Sequence, residues 1–258
     1  MKLKNFIILA LISVSTPIKA QYTRFVTQGT IVYEKRVNTY AIIKKQIALS
    51  KDDTWSKMAF ENYQKNNPQF KTLKSTLSFN NEKSLFVPEE EITQSGGWFN
   101  LPQTQQNNIV LSNLKHGTSA IQKKVFEENY NVVDSVRKIN WKITDEFRNI
   151  AGYNCRRANA LIMDSIYVVA FYTDEIAVSG GPETFSGLPG MILGVALPHD
   201  NITWFATAVS DTPVAENKLT LASKKGKTLS NEQLFDTLKS ALKSWGVWAN
   251  ETFKWAML

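Results

Sequence analysis

CRRANALIMDSIYVVAFYT, residues 155–173, is two strand-length runs with Asp164 between them. The second run, 165–173, is dense in β-branched and aromatic residues and apolar on both faces, the pattern of a central strand. A single turn residue between the runs leaves room only for a tight reversal, so the two pair antiparallel. The same grammar repeats outward. Strand patterns are predicted downstream at 191–197 and 201–209, with His199, Asp200 and Asn201 in the turn between them. Upstream they fall at 120–127, 129–136 and 139–144, and earlier at 30–37, 72–79 and 84–87, the last two joined at Asn80 and Asn81. Consecutive strands with short turns predict an antiparallel meander.

Within 30–37, Ile31, Tyr33 and Val37 share one face while Glu34 and Arg36 take the other, a half-buried strand. Residues 50–63 break that period: Asp52 or Asp53 caps a helix, and Trp55, Met58, Ala59 and Tyr63 recur at helical spacing. Residues 88–108 are acidic, then rich in Gly, Gln and Asn, which predicts a long surface loop. Near the end, Ser230 and Gln233 form a capping box, and Leu234, Leu238, Leu242, Trp245 and Trp248 line one helical face. The fold class is therefore mainly β (α+β): a curved antiparallel β-meander with a helical insertion and a C-terminal helix packed on the sheet.

The N-terminus reads as an export signal. Lys2 and Lys4 precede a short apolar run at 6–12, and small or polar residues lead to Ala20. That run is far shorter than the roughly 18 residues of a membrane-spanning helix. Domain organisation is read as a signal peptide at 1–20 and one domain at 21–258, with no linker-like composition dividing it. Removing Lys2, Lys4 and Lys19 takes the formal charge from +7 to +4. The remaining cations are dispersed and form no basic stripe with stacking aromatics, so a nucleic-acid partner is not expected. The single cysteine, Cys155, leaves no internal disulfide and none near the cleavage site to carry a lipid. The expected product is periplasmic or extracellular, soluble and without a transmembrane anchor.

One further segment carries a distinctive pattern: GGPETFSGLPGMILG, residues 180–194. Leu188, Pro189, Gly190 and Met191 predict a type II turn, with proline presetting the first central residue and glycine the positive φ of the second. Gly180, Gly181 and Pro182 predict an earlier bend that lets Phe185 fold back onto the sheet. The glycine spacing is not that of a phosphate-binding loop. This segment resembles the signature of the GLPGLI family of exported Bacteroidota proteins, with Met191 replacing the usual leucine. The resemblance extends to 141–146, to the Gly152, Tyr153, Cys155 and Ala158 pattern, to 170–176, and to the opening strand at 29–34. Ala177 stands where proline is common. The motif residues it implies are Gly181, Pro182, Phe185, Gly187, Leu188, Pro189 and Gly190, in a structural role. The family carries no general biochemical assignment, and some members are associated with TonB-dependent receptors. Meander plus helix is also similar to the lipoprotein-carrier half-barrel, which implies an apolar cavity.

The chemical inventory is thin. A hydrolytic triad needs a histidine base; only His116 and His199 exist, both in predicted loops, and no nucleophile elbow accompanies them. Two histidines and one cysteine make a poor zinc or copper set, so no metal or cofactor is expected. Cys155 beside Arg156 and Arg157 is a nucleophile if exposed and a core thiol if buried. Glu34, Asp145, Glu146, Asp174 and Glu175 are candidates for an acid pair. Glu34, Cys155 and Glu175 are the residues to locate in the structure; none is assigned a catalytic role. The expected function is a non-enzymatic envelope factor that binds an outer-membrane partner or an apolar ligand. The alternatives are an envelope hydrolase using carboxylates or Cys155, and a structural accessory subunit without a ligand.

Overall fold

The computed structural model describes residues 25–49, 54–90, 101–223, 225–245 and 247–258. The signal-peptide reading of 1–20 lies outside them, as does the 91–100 part of the loop. Strand β1 (Gly29–Asn38) uses its alternation fully: Ile31, Tyr33, Lys35 and Val37 are buried, and the residues between them face outward to varying degrees. Helices α1 (Thr39–Leu49) and α2 (Thr54–Asn66) form the insertion. Asn38 caps the first, its Oδ1 accepting the Ala41 N–H at 3.1 Å. The Tyr40 hydroxyl donates to the main-chain oxygen of Asn67 at 2.7 Å and ties the two together. Ile42, Ile43 and Phe60 are buried beneath them.

The chain then meanders through β2 (Phe70–Phe79), β3 (Lys83–Pro88), β4 (Asn108–Asn113), β5 (Thr118–Val125) and β6 (Glu128–Ser135), each antiparallel to its predecessor. It crosses to the far edge and returns through β7 (Lys142–Ile150), β8 (Tyr153–Ile162), β9 (Ile166–Thr173), β10 (Met191–Leu197) and β11 (Ile202–Ser210). Strand β11 pairs antiparallel with β1, so the two meanders fuse into one sheet. A three-residue strand, β12 (Lys227–Leu229), adds parallel to β6. The order is β12-β6-β5-β4-β3-β2-β1-β11-β10-β9-β8-β7. Register shifts between Val32 and Tyr33, Ile143 and Phe147, and Ile192 and Gly194 supply the local bends that curve such a sheet. Among the described residues no pairing joins the two edge strands, and closure into a barrel is not seen.

The curved α+β sheet with a helical insertion and helices packed on it is the expected class, but several elements differ from the sequence reading. Helix α1, β4 and β12 were not foreseen, and β7 starts at Lys142 rather than 139. The C-terminal helix is two, α3 (Asn231–Ala241) and α4 (Val247–Met257). The capping box at Ser230 and Gln233 is made at 3.2 and 2.9 Å, and Leu234, Leu238 and Leu242 are buried. Trp245 lies beyond the break and is 47% exposed.

The turn at Pro189 also differs. The Gly190 N–H bonds to the Leu188 oxygen at 2.8 Å, and the Met191 N–H goes to the Ile176 oxygen at 3.1 Å. This is a three-residue γ-type turn rather than type II, because a neighbouring segment claims the amide that a type II turn needs. Gly190 has φ +150°, and a Cβ there would lie 2.1 Å from the Thr173 oxygen. Gly117 has φ +65° with nothing within 4 Å of such an atom. Gly190→Ala therefore loses about 3 kcal/mol or more, since backbone must move. Gly117→Ala loses only about 1 kcal/mol, the cost of a left-handed alanine. Urea denaturation of both variants checks this; equal losses contradict the close-approach argument.

Candidate functional site

Four parts of the fold converge on one cavity of about 590 Å³. The pairing of β1 with β11 sets Lys35 opposite Trp204. The Lys35 ammonium lies 5.1 Å from the Trp204 ring centroid and donates to the Gln105 main-chain oxygen at 2.7 Å. Lys35 is 3% exposed and sits on the apolar face of β1 between Tyr33 and Val37. Pairing of β4 with β5 sets Asn108 opposite Lys123, itself on the buried face between Ile121 and Val125. The last turn of α4 forms the third wall through Trp255 and Ala256.

Lys123 donates to the Ala256 main-chain oxygen at 2.6 Å. Arg137 donates to the Met257 oxygen and Thr184 to the Leu258 oxygen. Terminal helix carbonyls lack partners within the helix and carry the negative end of its dipole, so cations suit them. Lys254 pairs with Asp200, in the turn between β10 and β11, and fixes the other side of the helix. Burial pushes the Lys123 ammonium down to about 8; the Arg137 charge adds to this, and the Glu183 carboxylate opposes it.

The fourth wall is the glycine-rich loop. Gly181 approaches so closely that a Cβ would meet the Phe185 oxygen at 2.5 Å, and the Phe185 N–H closes a bend onto the Pro182 oxygen at 3.1 Å. Inside that bend Glu183 adopts φ +52°, a left-handed conformation disfavoured for a residue with a side chain. Its side chain is buried, and Oε2 accepts from Asn108 Nδ2 at 3.0 Å. Burial raises its pKa; the Lys35 charge, the Asn108 hydrogen bond and the Lys123 charge oppose the rise. The site thus combines a glutamic acid inclined to keep its proton with two buried lysines and two tryptophans. Chemically, that is a proton donor beside cations able to hold developing negative charge.

The residues picked out from sequence mostly lie elsewhere. Phe185 lines the cavity, and Gly181 and Pro182 shape the bend that places Glu183. Gly187 and Gly190 have positive φ, and Leu188 is buried. Glu34 is 4.0 Å from Arg36, on the face of β1 opposite Lys35. Glu175 is exposed at the start of the loop. Cys155 is fully buried; burial, with the Glu175 charge, pushes its thiol up to about 12, so it holds no thiolate at neutral pH. His116 lies in the exposed turn between β4 and β5, and His199 in the turn after β10. Neither lines this cavity. Among the described residues no cluster of three or more His, Cys, Asp or Glu side chains is arranged for a metal. Lys35, Lys123, Asn108, Glu183 and Trp204 were missed. Their signal was a lysine at an apolar position of a strand, twice, and an acid inside a glycine-rich bend.

The family described as "Protein of unknown function (Porph_ging)" matches residues 161–194, a stretch that includes Glu183. No curated protein matches the chain. Among solved structures, PNGF-II in a P21 crystal form aligns with TM-score 0.51 and 17% identity, over 82% of this chain and 33% of that one. Its C2 form gives TM-score 0.48 and 15% identity, over 79% and 31%. An uncharacterized conserved protein from Thermus thermophilus gives TM-score 0.39 and 5% identity, over 80% and 91%. The chain spans about a third of the length of PNGF-II. PNGF-II is a peptide-N-glycanase, an enzyme, and its likeness over most of this chain corrects the expectation of a non-enzymatic accessory factor. At this identity the likeness is one of fold. Among the described residues no helix is long and apolar enough to cross a membrane.

The two shifted groups give opposite pH dependences of stability. The fold releases the Lys123 proton near pH 8, about 8 being its lowered value; the unfolded chain holds it to about pH 10.4. The unfolded state then binds more protons, so stability rises with pH in that window. Glu183 keeps its proton in the fold above the unfolded value of about 4.3, so stability falls as pH rises from there towards its raised pKa. Urea midpoints measured across pH check both. Lys123→Met abolishes the alkaline rise and Glu183→Gln the acid-side fall; unchanged profiles contradict these assignments.

Proposed function

We propose that this chain is an exported hydrolase of the GLPGLI group, with its chemistry in the cavity between the sheet and α4. The observation that carries the reading is Glu183. It is a buried acid in a strained backbone conformation, beside a cavity of ligand size, with a pKa raised by burial. Protonated Glu183 donates to the leaving group as water attacks and the bond to that group breaks. Water attacks the carbonyl of an amide that bears the glycan, Lys35 and Lys123 hold the negative charge that develops on the carbonyl oxygen, and Glu183 regains a proton released by the attacking water. Cys155 has no part in this reading, because its thiol stays protonated and enclosed. The likeness to a peptide-N-glycanase supports a glycan-bearing substrate, and the mixture of aromatic and polar side chains in the lining suits one.

The test is turnover on a panel of N-glycopeptides, followed by released glycan. Wild type turns over at least one of these, and Glu183→Gln lowers kcat/KM by about a hundredfold or more, the scale of a lost general acid. Activity falls as pH rises through the raised Glu183 pKa. Turnover untouched by Glu183→Gln, or none on any member of the panel, overturns the proposal.

A further inference from the structure

The cavity lining carries donors without partners. Trp204 is 3% exposed, and its indole N–H has no hydrogen-bond partner among the described residues. The indole N–H of Trp255, also in the lining, is buried and equally without a partner. An indole can only donate, and a lysine ammonium carries three donors and no acceptor. Lys123 has one acceptor among the described residues, the Ala256 oxygen. Glu183, the buried acid of the lining, receives Asn108 at Oε2. Charge points the same way: Lys35, Lys123 and Lys124 line the cavity against Glu127 and Glu183. Arg137 stands close enough for its charge to bear on Lys123. Leaving buried donors unsatisfied is costly, and several in one cavity mark a place where a ligand supplies the oxygens.

We infer that the cavity selects an acidic ligand, whose oxyanion is received by Lys123 and by the Trp204 and Trp255 indole N–H groups. This rests on the hydrolase reading for the body of that ligand, a sugar, and adds that the sugar carries a carboxylate, phosphate or sulfate. Trp204 and Trp255 then act as specificity groups rather than as core filler. Lys35, which already donates to Gln105 and stacks on Trp204, positions the Trp204 ring.

Isothermal titration calorimetry tests this with four probes: glucose, glucuronate, glucose 6-phosphate and glucose 6-sulfate. At least one anionic sugar binds tenfold or more tightly than glucose, and the best of the three tells which oxyanion the site takes. Trp204→Phe keeps a ring and removes the N–H, and it lowers the preference at least fivefold. Lys123→Met abolishes it. Circular dichroism of each variant controls for folding. Glucose binding as tightly as its anionic forms, no anionic sugar binding at all, or a preference unaltered in both Trp204→Phe and Lys123→Met overturns the inference. Anion preference without turnover by wild type leaves it standing and removes the hydrolase reading; turnover without anion preference does the reverse.

Discussion

The pairing of β1 with β11 holds this architecture together. Each meander is built from neighbours in sequence, but these two strands are brought together from opposite ends of the chain, Thr30 opposite Ser210 and Val37 opposite Ile202. Such a contact carries a large loop-closure cost before it returns any stabilisation. Its register decides what lies at the centre of the sheet. A slip of one residue would turn Lys35 outward and place Glu34 against Trp204. The Tyr33 hydroxyl reinforces that register from inside, donating to the Ile192 oxygen at 2.6 Å.

From that seam the site follows by geometry. Lys35 interrupts an apolar face that continues on either side of it, and Lys123 does the same in β5. Two buried cations would ordinarily cost more than a small protein tolerates. Here the carbonyl end of α4, the Gln105 oxygen and the Glu183 carboxylate compensate them in part. The compensation is incomplete, which is why Lys123 holds its proton less tightly than a free lysine and Glu183 holds its own more tightly than a free glutamate. Incomplete compensation beside a cavity, with two indoles unpaired among the described residues, is the ground for proposing a ligand site rather than a structural ion-pair network. The glycine-rich loop has a second role in this light. Beyond turning the chain into β10, it forces Glu183 into a conformation that the flanking Gly181 and Pro182 make attainable.

Local pattern revealed most of the strands, because alternation and turn residues are local signals. The helix α1 escaped because only Asn38 and Thr39 separate the strand from Tyr40, Ala41, Ile42 and Ile43, a short apolar run that periodicity alone does not assign to helix or strand. Strand β4 escaped because it begins and ends in asparagine. The order of the strands was beyond local reading, since the seam is non-local. The site was half visible: Lys35 and Lys123 occupy positions where alternation demands an apolar residue, and that conflict is itself informative. Glu183 lay inside the motif singled out for its turns, but an acid in a loop reads as solvated until the fold buries it. Trp204 lay inside a predicted strand without being singled out, and that its N–H has no partner among the described residues emerges only with the fold.

The central claim is that the β1–β11 register couples Lys35 to Glu183 across a shared cavity. A ¹³C NMR titration of the Glu183 side-chain carboxyl, in wild type and in Lys35→Met, measures that coupling. The account predicts a midpoint above the ordinary carboxylate range in wild type, and a further rise when the Lys35 charge is removed. A Glu183 that titrates as a free glutamate, or a midpoint indifferent to Lys35, would contradict it.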